Sequence, residues 1–283
     1  MDRTKRRRKK KRIPRLTITT IVFLAALSLT GYHYRAQLLA FGDKTPPPAA
    51  EGEFELPPTD AEPEEPATPE PEEELHSPYP PAGGEKLEIA DGDYLLALVT
   101  KLTTLGGYAP SDLVTIPAEM IHPSQRQWQY FLRREALEHL LIMAEAARED
   151  GIELVLISAY RSYATQQTLF HDYAAAHGEE AANTFSARPG QSEHQLGTAV
   201  DFGGTASDRS QSFADTYPGI WLAENAHLYG FVMSYPAGAT DVTGYIYEPW
   251  HFRYIGAAAA AAWKESELLP CVFLEQQPQR WVE

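Results

Sequence analysis

Two stretches hold the residues whose types and spacing suit chemistry. "SEHQLGTAVDF", residues 192–202, sets His194 and Asp201 seven positions apart, and "YEPWHFRYIG", residues 247–256, sets Glu248 and His251 three apart. Two imidazoles and one carboxylate that leave a coordination position open to water form a common catalytic zinc sphere. His194, Asp201 and His251 fit that set. A further carboxylate, held off the metal, is then needed as general base for the attacking water, and Glu248 suits the role. Each residue also has a plainer reading: a histidine hydrogen-bonded in the core, an aspartate capping a turn. Asp201 sits between Val200 and Phe202 in a strand-like run, where an inward-facing acid is costly unless paired or metal-bound. Gly197 and Ala199 let a neighbour approach the backbone closely. Pro249 keeps Glu248 out of helical geometry, so the chain must turn if Glu248 and His251 are to share one site. The H-E-x-x-H, S-x-x-K, G-x-S-x-G and Walker A patterns are all absent.

Elements must bring these stretches together. Ser124 followed by Gln127 resembles a capping box, and the helix-spaced residues Trp128, Phe131, Leu132, Leu137, Leu140, Leu141 and Ala144 predict a helix running from there toward Gly151. "IELVLIS", 152–158, reads as a buried strand. Ser162 is placed to cap a helix that runs to about His177 and closes at Gly178. "GTAVDF", "GFVMSYP" and "WHFRYIG" read as strands, "GIWLAENAHLYG" as a compact helix and 257–266 as an alanine-rich helix. Helices come first and strands cluster later, which favours an α+β fold over a regular βαβ repeat.

Composition divides the 283 residues. Residues 1–42 carry eleven Lys/Arg and one acid, and residues 16–34 contain no Lys, Arg, Asp or Glu. Nineteen residues at about 1.5 Å each match a bilayer core of about 30 Å. The expectation is a basic cytoplasmic tail, 1–15, then a transmembrane signal anchor, 16–34, that leaves the rest of the chain outside. Secretion after signal cleavage is the alternative. Residues 43–86, with thirteen acids, two bases and twelve prolines, read as an acidic, extended linker. Residues 87–283 form one globular domain with 25 acids and 11 bases, a charge balance that disfavours nucleic acid. No obligate protein partner is implied. The single cysteine, Cys271, cannot form an intramolecular disulfide and reads as a small buried residue.

"SEHQLGTAVD" resembles the S-x-H-x-x-G-x-A-x-D motif of the LAS metallopeptidases, the group of lysostaphin, D-Ala-D-Ala peptidases and sonic hedgehog. "EPWH" resembles its E-x-W-H motif. "SAYRSYATQQTLF" is similar to the S-G-Y-R-S-x-x-x-Q segment of VanY-type D-alanyl-D-alanine carboxypeptidases, and "YAPSDLV" and "TGYIYEPWHFRYIG" also run with that family. The resemblance spans roughly residues 90–265. It implies a central, mainly antiparallel sheet with flanking helices. It implies one zinc ion held by His194, Asp201 and His251, with Glu248 as base. It implies Arg161 as oxyanion and substrate contact, and Gln166 and Ser192 as residues gripping a terminal D-alanine carboxylate. The implied activity is zinc-dependent removal of the terminal D-alanine from peptidoglycan stem peptides outside the membrane. L,D-carboxypeptidase and D,D-dipeptidase activity are alternatives on the same substrate class, and a non-catalytic zinc-containing wall-binding module is a further one. One departure is visible: Ala159 stands where the family has glycine, which would be strained if that position needs a positive φ.

Overall fold

The structure, a computed structural model, describes residues 86–282. The expected tail 1–15, span 16–34 and acidic stretch up to residue 85 lie outside them. Among the described residues no helix is long and apolar enough to cross a membrane.

Two short pairs open the domain. β1 (Leu87–Glu88) runs parallel to β2 (Thr103–Thr104), and β3 (Leu113–Thr115) pairs antiparallel with β4 (Phe131–Arg133). The helix expected from Ser124 starts later. Pro123–Gln125 is a single 3-10 turn, and α1 spans Arg134–Glu149. The reason is β4: Phe131, Leu132 and Arg133 pair with Thr115, Val114 and Leu113, and that ladder takes the backbone a helix would need. Trp128, counted on the apolar stripe, is 58% exposed. From Arg134 on, the stripe holds at Leu137 and Leu140, buried along one face with Ala136, Met143 and Ala147, whereas Leu141 is exposed. Gly151, at φ +79, follows the helix end.

β5 (Val155–Ser158) leads to α2 (Tyr163–His177), where the Ser162 hydroxyl accepts from the Thr165 amide as expected of an N-cap. α3 (Glu179–Phe185), which the sequence did not announce, follows directly after Gly178. β6 (Ala199–Gly203), α4 (Tyr217–Asn225), β7 (Phe231–Met233), α5 (Thr240–Thr243), β8 (His251–Tyr254), α6 (Ala257–Ser266) and α7 (Pro270–Glu275) complete the order. The central sheet has the order β5-β6-β8-β7, all antiparallel, as the fold-class reading anticipated. β6 and β8 occupy its middle, in the register Asp201↔His251, Val200↔Phe252 and Ala199↔Arg253. Side chains alternate faces along a strand. Val200, Phe202, Phe252 and Tyr254 therefore enter the main core with Leu132, Leu140, Met143 and Leu156. Asp201, His251 and Arg253 occupy the other face.

Candidate active site

β6 and β8 supply Asp201 and His251 as a direct cross-strand pair. His194 comes from a 3-10 turn, Glu193–Leu196, that ends at Gly197 with φ +69. A Cβ on Gly197 would meet Leu113, Arg133 and Pro110 side chains at 2.9–3.0 Å, so both the close approach and the positive φ call for glycine here. The Gly197 carbonyl accepts from the Arg133 amide at 2.7 Å, which locks this turn to β4.

His194, Asp201 and His251 place one potential ligand atom each within 4.8 Å of one another, and all three are buried. The rings of the two histidines lie 5.0 Å apart at 71°. His194 Nδ1 lies 2.7 Å from the Ala159 carbonyl oxygen, an acceptor only, so Nδ1 donates and Nε2 points toward Asp201 Oδ1 at 3.3 Å. His251 Nδ1 lies 2.9 Å from the same Oδ1. Tyr235 stacks on the His251 ring at 4.9 Å. Ala159 adopts no positive φ, so the alanine that departs from the family pattern carries no such strain, and its carbonyl orients His194.

The electrostatics show how strongly this cluster is coupled. Burial alone would raise the Asp201 carboxyl, yet His194 and His251 hold it well below the usual carboxylate range. Burial would lower His251, but hydrogen bonds to Asp201 and Glu193 lift it to about 10. Burial, assisted by Arg161, lowers His194 to about 4, which keeps its Nε2 lone pair available. Neutral imidazole and ionised carboxylate are the forms a metal takes, and the donor set, N, N and O, fits zinc.

Glu248 reaches the cluster as expected from Pro249. The His251 amide donates to the Glu248 carbonyl at 3.1 Å across Pro249 and Trp250, closing a turn that brings both side chains to one cleft. Burial raises the Glu248 carboxyl to about 8. The cleft, of about 280 Å³, is also lined by Arg161, Ser192, Arg209, Tyr173 and Trp250. The Arg161 amide donates to the His194 carbonyl at 3.2 Å, and its buried Nε has no protein partner.

Gln166 does not line the cleft. It is fully buried behind it, where Nε2 donates to the Ala187 carbonyl at 2.7 Å, and Ala187 and Ser186 form the wall. Glu193 was absent from the sequence reading. Its Oε2 lies 2.9 Å from His251 Nε2 and accepts from Ser234 Oγ at 2.5 Å, while Oε1 accepts from Arg253 Nη1 at 2.9 Å. A signal for it existed: an arginine two residues after His251, in a strand otherwise buried, has to find an acid.

A family model described as VanY, D-alanyl-D-alanine carboxypeptidase, matches residues 129–257. The putative carboxypeptidase YodJ of Bacillus subtilis (strain 168) is 39% identical over 183 residues, covering 64% of this chain and 67% of its own. The chain belongs to the VanY family. Among solved structures, that of the LdcB LD-carboxypeptidase superimposes with a TM-score of 0.61 at 37% identity, covering 68% of this chain and 90% of that one. A vancomycin-resistance D,D-pentapeptidase VanY in complex with Zn(II) gives a TM-score of 0.53 at 28% identity, covering 64% of this chain and 99% of that one.

Proposed function

We propose that this protein is a zinc-dependent carboxypeptidase that hydrolyses the peptide bond before the terminal D-alanine of peptidoglycan stem peptides. The observation that carries the reading is the buried His194–Asp201–His251 cluster, with Glu248 and Arg161 lining the same cleft, in a chain of the VanY family. His194, Asp201 and His251 hold the metal. Zinc, when bound, supplies a Lewis acid for the scissile carbonyl and lowers the pKa of water toward about 7.

Glu248 takes one proton from the attacking water and passes it to the departing D-alanine nitrogen as the C–N bond breaks. Burial pushes the Glu248 carboxyl up from the usual carboxylate range, which makes its ionised form a stronger base. Arg161 directs its fork of donors at the carbonyl oxygen as negative charge builds there. Ser192, at the cleft wall, hydrogen-bonds the terminal carboxylate, and Gln166 fixes the wall segment Ser186–Ala187 from behind. The uncharged run 16–34 behind ten basic residues supports a membrane-held enzyme with its catalytic domain outside the cell. The acidic stretch after it acts as a spacer toward the wall.

The test is release of D-alanine from a defined stem pentapeptide by the full chain, with and without chelator. Chelator-sensitive release is the expected result, and no release from any stem peptide overturns the reading. The likeness to the LdcB LD-carboxypeptidase favours a second reading, removal of D-alanine from the tetrapeptide. Mass spectrometry separates the two, because pentapeptide-to-tetrapeptide and tetrapeptide-to-tripeptide conversions leave different products.

A further inference from the structure

We infer that Glu193 is a positioning residue for the metal centre: it fixes His251 in the tautomer that presents Nδ1 to the metal and holds the ring in place. This rests on reading His194, Asp201 and His251 as metal ligands.

Glu193 lines the cleft beside the three ligands. It is 5% exposed and each oxygen of its carboxylate is engaged. Oε1 accepts from Arg253 Nη1 at 2.9 Å, and Oε2 accepts from Ser234 Oγ at 2.5 Å and faces His251 Nε2 at 2.9 Å. An ionised carboxylate only accepts, so the proton at the last contact belongs to His251 Nε2. Nδ1 also faces a carboxylate, Asp201 at 2.9 Å, and the proton it carries there is the one a metal displaces to take the Nδ1 lone pair, while Nε2 keeps its proton on Glu193. A carboxylate behind a ligating imidazole also raises the ligand's basicity.

The two histidines are thereby set in opposite senses. His194 is pinned through Nδ1 by a neutral carbonyl and offers Nε2. His251 is pinned through Nε2 by a charged carboxylate and offers Nδ1. Arg253 keeps Glu193 aimed, through Nη1 at 2.9 Å from Oε1. It stands two residues beyond His251 on β8, on the same face, and its Nη2 donates to the Leu95 and Ala97 carbonyls at 2.9 and 2.7 Å. The ligand and the support for its support thus come from one strand, so their spacing is set by the strand repeat.

The experiment compares zinc binding by wild-type protein and Glu193→Gln in competition with a chromophoric chelator, together with 15N NMR of the histidine rings of the zinc-loaded wild type. Gln keeps an oxygen acceptor but removes the charge. The expected result is a zinc Kd raised about 10–100-fold with a faster zinc off-rate, and a wild-type His251 with Nε2 protonated and Nδ1 bound to metal. Equal Kd values within threefold overturn the inference. So does a wild-type His251 that carries its proton on Nδ1, a result independent of whether the variant folds. Chelator-sensitive D-alanine release by the wild type is scored separately. Its absence would count against the proposed reaction and leave the placement of His251 standing.

Discussion

The odd-numbered and even-numbered residues of β6 and β8 are equally buried and do opposite things. Val200, Phe202 and Phe252 fill the main core, where contact area alone stabilises them and neighbours are interchangeable in kind. Asp201, His251 and Arg253 are buried as deeply on the other face, yet each has a named partner at a fixed distance. The difference shows that burial by itself says little about role. On the apolar face a lost side chain leaves a cavity. On the polar face it leaves a charge with nothing to meet it, and the chain must gain something from keeping those charges there.

Three experiments test that contrast. The largest expected effect lies at the polar face. Glu248→Gln should cut kcat/KM for D-alanine release by about 10²–10⁴, while metal analysis still finds one zinc per chain. Undiminished turnover would remove Glu248 from its role. Next come neighbours on opposite faces. Chelation should lower the wild type's resistance to urea by about 4 kcal/mol when free zinc is near a thousand times its Kd. His251→Ala should show no chelator response, because it has lost the metal. Phe252→Ala should be destabilised by about 3–5 kcal/mol and still respond to chelator. If both variants lose the response, the two faces are not separable. The smallest effect belongs to a polar contact at the surface. Ser162→Ala removes an N-cap and should cost about 1 kcal/mol in urea unfolding, with zinc affinity unchanged. A shift in zinc affinity there would extend the coupled region to the start of α2.

The sequence revealed the polar face unevenly. Small residues between His194 and Asp201, and an acid flanked by Val200 and Phe202, made their convergence legible. The turn at Pro249 did the same for Glu248. Strands β6 and β8 and helix α2 were readable because a serine cap, closing glycines and period-two apolar runs all agreed. The helix placed from Ser124 was misread because Phe131 and Leu132 fit a helical stripe equally well until β3 offers them a partner strand. Glu193 escaped for a related reason. An acid between Ser192 and His194 looks like solvated loop, and only the fold brings Arg253 and His251 to it. Gln191 and Gln195 belong with it. Their amides donate to the Thr103, Gly106 and Tyr108 carbonyls and fasten the 190–197 segment to the start of the domain.

The chain around β1 is fastened at three places, the first being β2, where the Leu87 and Ile89 amides donate to the Leu102 and Thr104 carbonyls. Ile89 bridges Trp281, with the Val282 amide donating to the Glu88 carbonyl and the Ala90 amide to the Arg280 carbonyl. Beyond that, the Leu95 and Ala97 carbonyls bind Arg253. A pulling force entering through residue 86 would therefore strain the β1–β2 bonds and the bonds between residues 88–90 and 280–282 first. Only after those had given way would tension reach Arg253, then Glu193 and the imidazole of His251. The pairing of the two ends acts as a mechanical fuse, placed between any tug on the chain and the geometry of the cleft.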